Sequence, residues 1–168
     1  MLSSKLQVIV LKRINFGEAD KIVTVFSREQ GKLSLVVKGV RRIKSRRAPH
    51  LEPLSETKLI IHGNHITDAK KIFSGDFNLK SLGFAFYGAE VVDKLLPDNE
   101  PHASVYELLR NFLRTKEIDE GKVKEFTLQL LWTLGFLPHG QFPKEGLNNF
   151  VEQVAEKRIK SKKLIEDI

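Results

Sequence analysis

The chain has 168 residues, of which 41% are hydrophobic, a formal net charge of +7 and no cysteine. The lack of cysteine excludes disulfide frameworks, thiol catalysis and thiolate zinc sites. The apolar run near the N-terminus is shorter than the core of a signal peptide, and no stretch approaches the ~18 apolar residues of a membrane span. We therefore expect a soluble, unsecreted protein with no membrane partner. The absence of cysteine is compatible with a cytoplasmic location but does not determine the compartment.

The positive charge is concentrated in the first half of the chain. Residues 1–78 contain 15 Lys and Arg against 7 Asp and Glu, whereas residues 79–168 contain 13 against 14. A surface for a polyanionic partner is therefore expected in the first half. The length also suits two small domains, and we place their boundary between residues 78 and 79.

The first domain, residues 1–78, is predicted to consist of five β-strands. Short runs of β-branched and aliphatic residues are separated by turn residues, as at 15–20 and at Gly31. The last two runs flank the pair Gly63-Asn64, whose leading glycine favours a type II′ hairpin turn. The predicted strands cover residues 6–14, 21–27, 33–37, 57–62 and 66–73.

Five short strands with no helical spacing between them must close or stack in order to hide their edges. A small barrel of the oligonucleotide/oligosaccharide-binding (OB) fold satisfies both the number and the length of the strands. An SH3-like barrel is the main alternative. The periodicity of the residues leaves this choice open, because it does not reveal the order of the strands.

The second domain, residues 79–168, is predicted to be α-helical, because the hydrophobic period changes from two to about 3.6. Ser104 and Glu107 form a capping box that predicts the start of one amphipathic helix. Another predicted helix covers residues 79–96. A third covers residues 122–134, with acidic residues before its start and a glycine after its end. The tail from Leu147 has only a weak helical pattern. The predicted fold class is α+β with two domains, a five-stranded β-barrel followed by an α-helical domain.

The stretch VVKGVRRIKSRRAPH, residues 36–50, contains six cations and no acidic residue. A charge run of this kind is often a solvated, mobile loop. This run follows directly from a barrel strand, however, and the whole predicted barrel has the same sign of charge. A polyanion would relieve the repulsion between these cations and release condensed counterions. We therefore predict that nucleic acid is bound by Lys38, Arg41, Arg42, Lys44, Arg46 and Arg47.

The aromatic content of the first domain indicates how nucleic acid would be bound. Only four of the 14 aromatic residues of the chain lie in residues 1–78, and the core of a barrel needs some of them. Few bases can therefore stack on the protein. Binding is expected to rely on the phosphate backbone, with little readout of the bases.

No residue pattern indicates covalent chemistry or a cofactor. The segments GKLS and GKVK lack the upstream glycine that a phosphate-binding loop requires. His62 and His65 lie at a hairpin without cysteine or an acidic cluster, so we expect solvated turn histidines rather than metal ligands. The carboxylates of Glu18 and Asp20 are also expected to be solvated in a turn. We expect a protein without enzymatic activity, and a nuclease is the enzymatic alternative.

The segment NFGEADKIVTVFSREQGKLSLVVKGVRRIKSRRAPHLEPLSETKL, residues 15–59, resembles the N-terminal domain of the RecO family of bacterial recombination mediators. The segment LLWTLGFLP, residues 130–138, is also similar to the family, and the resemblance covers about residues 5–140. It rests on the order and spacing of Gly17-Glu18-x-Asp20, Phe26-Ser27 before Gly31-Lys32, Lys38-Gly39-x-Arg41-Arg42 and Leu51-Glu52-Pro53.

The resemblance implies a five-stranded OB-fold β-barrel joined to an α-helical domain. It also implies a bacterial, nucleoid-associated protein that binds single- and double-stranded DNA and anneals complementary strands. RecO-like proteins act with RecR, and often RecF, to help RecA displace single-strand-binding protein (SSB). Their helical domain is associated with docking of the acidic C-terminal tail of SSB, which implies partner contacts here at Arg110, Arg114, Lys157 and Arg158.

The sequence departs from the family pattern after Pro138, where many members have a four-cysteine zinc module. Because this chain has no cysteine, we predict no zinc. The chain is also shorter than most members. An adaptor that mainly binds the SSB tail or RecR, with weak affinity for DNA, is the alternative function.

Overall fold

Five strands precede four helices in the computed structural model, which describes residues 2–42 and 45–156. The chain divides into two compact units. Among the described residues, one unit contains those up to Gly75 together with Asp98–Ala103, and the other contains Asp76–Pro97 and residues 104–156. The predicted α+β class is confirmed.

The first unit is a closed β-barrel. Its strands are β1, Ser3–Phe16; β2, Asp20–Ser27; β3, Gly31–Val37; β4, Glu56–His62; and β5, His65–Phe73. They follow the order β1-β2-β3-β5-β4, and β1 pairs with β4 to close the ring. The neighbours are antiparallel except for β3 and β5, which run parallel where Val36 pairs with His65. The OB-fold prediction is confirmed, and the SH3-like alternative is set aside.

Strand β1 belongs to both sides of the barrel because it is long and bent. Residues 3–9 pair with β4, and residues 8–16 pair with β2. The register shifts between Val10 and Lys12, and Val10 there exchanges backbone hydrogen bonds with Leu54 and Ser55. A bulge of this kind bends a strand and increases its twist. Beyond it, the ends of β1 and β2 form a hairpin with its turn at residues 17–19.

The interior of the barrel is filled by alternate residues of all five strands. Val8, Val10, Val23 and Val25 are completely buried, as the period of two predicts. Burial of each such side chain contributes about 1.5–3 kcal/mol. Val40 and Leu51 lie outside the strands but belong to the same hydrophobic core, and the partly buried Ala48 packs against it.

The segment Asp98–Ala103 covers one edge of the barrel at β3. Lys32 forms a parallel bridge with Asp98, and the Asn99 N–H donates a hydrogen bond to the Lys32 carbonyl at 2.9 Å. Gly31 has a φ of +79°, and a Cβ at this position would lie 2.3 Å from the Glu100 carbonyl oxygen. Only glycine therefore allows the segment to approach so closely.

The second unit is built mainly from α1, Leu79–Leu95; α2, Ala103–Leu113; α3, Glu120–Thr133; and α4, Leu147–Ala155. The Asn78 and Asp119 side chains cap α1 and α3 by accepting backbone hydrogen bonds at 2.9 and 2.8 Å. The predicted capping box at Ser104 is wrong, because α2 begins one residue earlier and Ser104 lies inside it.

The interior of the helical unit rests on close contacts between aromatic residues and small residues. The Phe112 ring stacks on Phe126 with 4.2 Å between the ring centres, and it packs against Gly88, where a Cβ would lie 2.4 Å away. The buried Tyr87 hydroxyl donates a hydrogen bond to the Asn148 side chain. Burial, followed by the negative charges of nearby glutamates, raises the pKa of Tyr87.

No helix within residues 2–42 and 45–156 combines the length and the apolar character that crossing a membrane requires.

Candidate nucleic-acid interface

The basic loop, residues 38–50, is attached to the barrel at both ends. Val40, near its start, is 3% exposed, and Leu51, directly after its end, is 1% exposed, and both belong to the barrel core. A short 3-10 helix, Ala48–His50, forms the last turn of the loop. The described part of the loop, residues 38–42 and 45–50, is therefore positioned by the fold, unlike a freely solvated charge run.

The turn of the β1–β2 hairpin anchors the first half of the basic loop. The Asp20 carboxylate accepts a hydrogen bond from the Gly39 N–H at 2.7 Å. The Arg41 N–H donates to the Ala19 carbonyl at 3.1 Å, and the Arg41 guanidinium donates to the Gly17 carbonyl. The expectation that Asp20 is simply solvated is wrong, because its carboxylate holds the backbone of the loop. Glu18 of the same turn is exposed.

Arg47 anchors the second half of the basic loop. One end of its guanidinium donates to the Ile66 carbonyl of β5 at 3.0 Å, and the other donates to the Lys38 carbonyl at 2.7 Å. Both acceptors are neutral. Arg47, like Arg41, therefore positions the loop without losing its positive charge to a carboxylate.

Lys38, Arg42 and Arg46 project their charges toward solvent. All three are exposed and line an open concavity of about 790 Å³, whose other lining residues are Asp20, Gly39, Ser45 and Arg47. Within residues 2–42 and 45–156, none of the three forms an ion pair with a carboxylate. The first acidic residue after the loop, Glu52, instead pairs with Arg13 of β1 at 3.0 Å.

The structure thus brings four of the six predicted cations together, which are Lys38, Arg42, Arg46 and Arg47. Arg41 lies against the hairpin turn, and Lys44 lies outside the described residues. Sequence reasoning missed the anchoring role of Asp20. Its partner Gly39 is 19 residues away along the chain, so no local pattern connects the two.

The pKa of Lys21 depends on burial and on the positive charges beside the loop. Burial lowers the pKa of Lys21, and the positive charges of Arg13 and Arg41 lower it further. The Glu52 carboxylate opposes this effect. A cation that is disfavoured by its neighbours would be stabilised by a bound polyanion.

The other predicted site residues lie in the helical unit or beyond the described residues. Arg110 and Arg114 lie one turn apart near the end of α2, and the Arg110 guanidinium is 3.8 Å from the Glu107 carboxylate. Lys157 and Arg158 lie outside the described residues. Contacts of these four residues with a partner protein stay predictions.

His62 and His65 pair across the β4–β5 hairpin. In the described part of the chain, no group of three or more His, Asp or Glu side chains is arranged to hold a metal ion.

Comparison with known proteins places both units of the chain in one family. Residues 1–72 match the family described as Recombination protein O N terminal, and residues 77–142 match Recombination protein O C terminal. The proteins named DNA repair protein RecO from Geobacter metallireducens and Heliobacterium modesticaldum are 32% and 33% identical, over 73% and 79% of this chain. The protein of the same name from Pelotomaculum thermopropionicum is 29% identical over 80% of this chain. The matched regions make up 52%, 51% and 56% of these relatives, respectively, so the chain spans about half of their length.

Proposed function

Because the chain belongs to the RecO family, we propose that it is a DNA-binding mediator of recombination in DNA repair. It binds single- and double-stranded DNA mainly through the phosphate backbone and anneals complementary strands. Together with RecR, and with RecF where it takes part, it assists the loading of RecA on SSB-coated single strands. The process needs no covalent chemistry, because annealing is favourable once the repulsion between the strands is screened.

One observation supports this proposal above the others. The exposed cations Lys38, Arg42 and Arg46 line a single concavity, and within residues 2–42 and 45–156 no carboxylate neutralises them. The hydrogen bonds of Arg41 and Arg47 hold the loop in place. A cationic surface that is fixed before binding loses little conformational entropy when it takes up a phosphate chain.

The test is a double substitution, Arg42→Ala with Arg46→Ala. It spares Arg41 and Arg47, whose loss would disturb the loop itself. Affinity for an oligothymidylate should fall about tenfold or more at low salt. The slope of log affinity against log salt should become shallower by about 1.4, because about 0.7 is lost for each phosphate contact on a single strand.

A matched control removes two exposed lysines from β1 and β4, Lys5→Ala with Lys58→Ala. It lowers the net charge equally but leaves the concavity intact. Its salt slope should therefore stay that of the unsubstituted protein. Equal effects of the two double substitutions would refute the basic loop as the binding surface. Cleavage of labelled DNA in the presence of Mg²⁺ would refute the proposal that the protein is not an enzyme.

A second candidate function is an adaptor that mainly binds the SSB tail or RecR. It is favoured by the exposed rings of Phe136 and Phe142, which are 41% and 68% exposed. Phe142 lies edge-on to Trp132, whose indole N–H donates to the Gln141 carbonyl at 2.8 Å. Pull-down of SSB with and without its tail tests this function. Tight, tail-dependent binding that Phe142→Ala abolishes would support the adaptor, and binding that ignores the tail would refute it.

A further inference from the structure

The end of the β1–β2 hairpin has an apolar surface that the phosphate contacts proposed above do not use. Phe16 is 51% exposed and Ile14 is 56% exposed. They are two positions apart on β1, so their side chains project from the same face of the strand. Ile14 pairs with Ile22 across the hairpin, and Ile22 pairs with Val36 of β3. Adjoining exposed apolar side chains of this kind often mark a binding surface.

This apolar patch borders the cationic concavity. Phe16 pairs directly with Asp20, and Asp20 lines the concavity together with Arg42 and Arg46. The residue after Phe16 is Gly17, whose carbonyl accepts the hydrogen bond from the Arg41 guanidinium. The hydrogen bonds that hold the basic loop therefore also fix the backbone of the turn that follows Phe16.

The combination of an exposed ring with an exposed cationic surface defines the chemistry of the matching ligand. The ligand must be a polyanion with flat apolar faces close to its charges. Single-stranded nucleic acid has both features. Duplex DNA offers the same phosphates, but its bases are already stacked on one another and cannot reach the ring.

We propose that Phe16 is a stacking platform for an unpaired base of the DNA whose phosphates occupy the concavity, with Ile14 extending the apolar surface. This inference rests on the proposed function. Stacking is indifferent to the identity of the base, because every base has a π face. Phe16 thus gives a preference for single strands over duplex, and the cations of the basic loop bind both. It adds a base contact to the backbone binding expected from the sequence.

The experiment compares three ligands with the full chain: an oligothymidylate, an abasic deoxyribose-phosphate oligomer of equal length, and a duplex. Phe16→Ala should lower affinity for the oligothymidylate about tenfold and leave that for the other two ligands within about twofold. Its salt slope should not change, because no charge is removed. Phe16→Trp should retain or increase affinity for the oligothymidylate, which also shows that position 16 tolerates substitution.

Leu79→Ala is the matched control, because it removes another exposed large apolar side chain, which is 88% exposed and lies in the helical unit. It should leave all three affinities unchanged. An equal loss on all three ligands for Phe16→Ala, or no loss on any, would overturn the stacking role and leave the hairpin as a face for a protein partner. If the unsubstituted protein binds none of the three ligands, the proposed function itself fails.

Discussion

Replacement of Asp20 by Ala should weaken DNA binding, although it makes the basic surface more positive. The Asp20 carboxylate accepts a hydrogen bond from the Gly39 N–H at 2.7 Å, where the basic loop begins. Electrostatics alone predicts the opposite sign, because Asp20 lines the same concavity as Arg42 and Arg46 and repels a polyanion. The sign of the change therefore separates an anchoring role from a purely electrostatic one.

The expected size of the effect follows from the two opposing terms. A hydrogen bond to a charged group contributes about 1.5–3 kcal/mol, and the lower end applies to the half-buried Asp20. A loss of about 1.5 kcal/mol shifts the basic loop roughly tenfold toward unanchored conformations, which lowers the apparent affinity by at most that factor. Removal of the partly screened negative charge of Asp20 improves the binding free energy for a polyanion by about 0.5 kcal/mol, which raises the affinity roughly twofold. The net expectation is a loss of up to about fivefold.

Fluorescence anisotropy with a labelled oligothymidylate measures this change. Asp20→Asn retains an oxygen that can accept the Gly39 hydrogen bond, so it should bind at least as well as the unsubstituted protein. Glu18→Ala removes the same charge from an exposed position of the same turn and should raise the affinity about twofold. The reasoning is refuted if Asp20→Ala raises the affinity as Glu18→Ala does.

Two further predictions concern stability. In a urea titration, Gly31→Ala should lower the free energy of unfolding of the barrel by about 3 kcal/mol, because a Cβ meets the Glu100 carbonyl and φ is positive. Gly17→Ala should lower it by only about 1 kcal/mol, because φ is also positive there but no described residue lies within 4 Å of the added Cβ. The pKa of Tyr87 is raised on folding, so the stability it contributes is complete below pH 10.0 and is lost as the pH rises above that value. Tyr87→Phe removes the hydrogen bond to the Asn148 oxygen and should lower the free energy of unfolding by about 1–2 kcal/mol near neutral pH. It should also reduce the loss of stability at alkaline pH, which Trp132 fluorescence can follow. An effect of Gly17→Ala equal to that of Gly31→Ala would contradict the first account, and an unchanged alkaline loss in Tyr87→Phe would contradict the second.

The strands and helices were predictable because their apolar residues repeat with a clear period, but their ends were not. β1 was expected to stop at Ile14, and it continues through Phe16. Asn15 and Phe16 pair with Lys21 and Asp20 across the hairpin, so a partner strand orders residues that composition alone assigns to a turn. The order of the strands was likewise invisible, because pairing between β3 and β5 depends on residues far apart in the chain.

The charge of the candidate site was visible in the sequence, but the sequence did not show which arginines anchor the loop and which are exposed to solvent. Arg41 and Arg47 have the same chemistry as Arg42 and Arg46. What separates them is the position of the backbone carbonyls of Gly17 and Ile66, which only the folded chain brings within reach. Exposure of the Phe16 ring was also hidden, because the barrel core needs some of the four aromatic residues in residues 1–78 and the sequence does not tell which ones.

The segment Asp98–Ala103 has a consequence for how the protein is made. A nascent chain that has left the ribosome only as far as β5 already possesses every strand, yet it lacks the segment that covers β3 at Lys32 until about thirty further residues, including α1, have been translated. This side of β3 is therefore covered only after the last strand has been synthesised. A gene fragment cut after Gly75 would encode all five strands without Asp98–Ala103, so the side of β3 that this segment covers would be exposed.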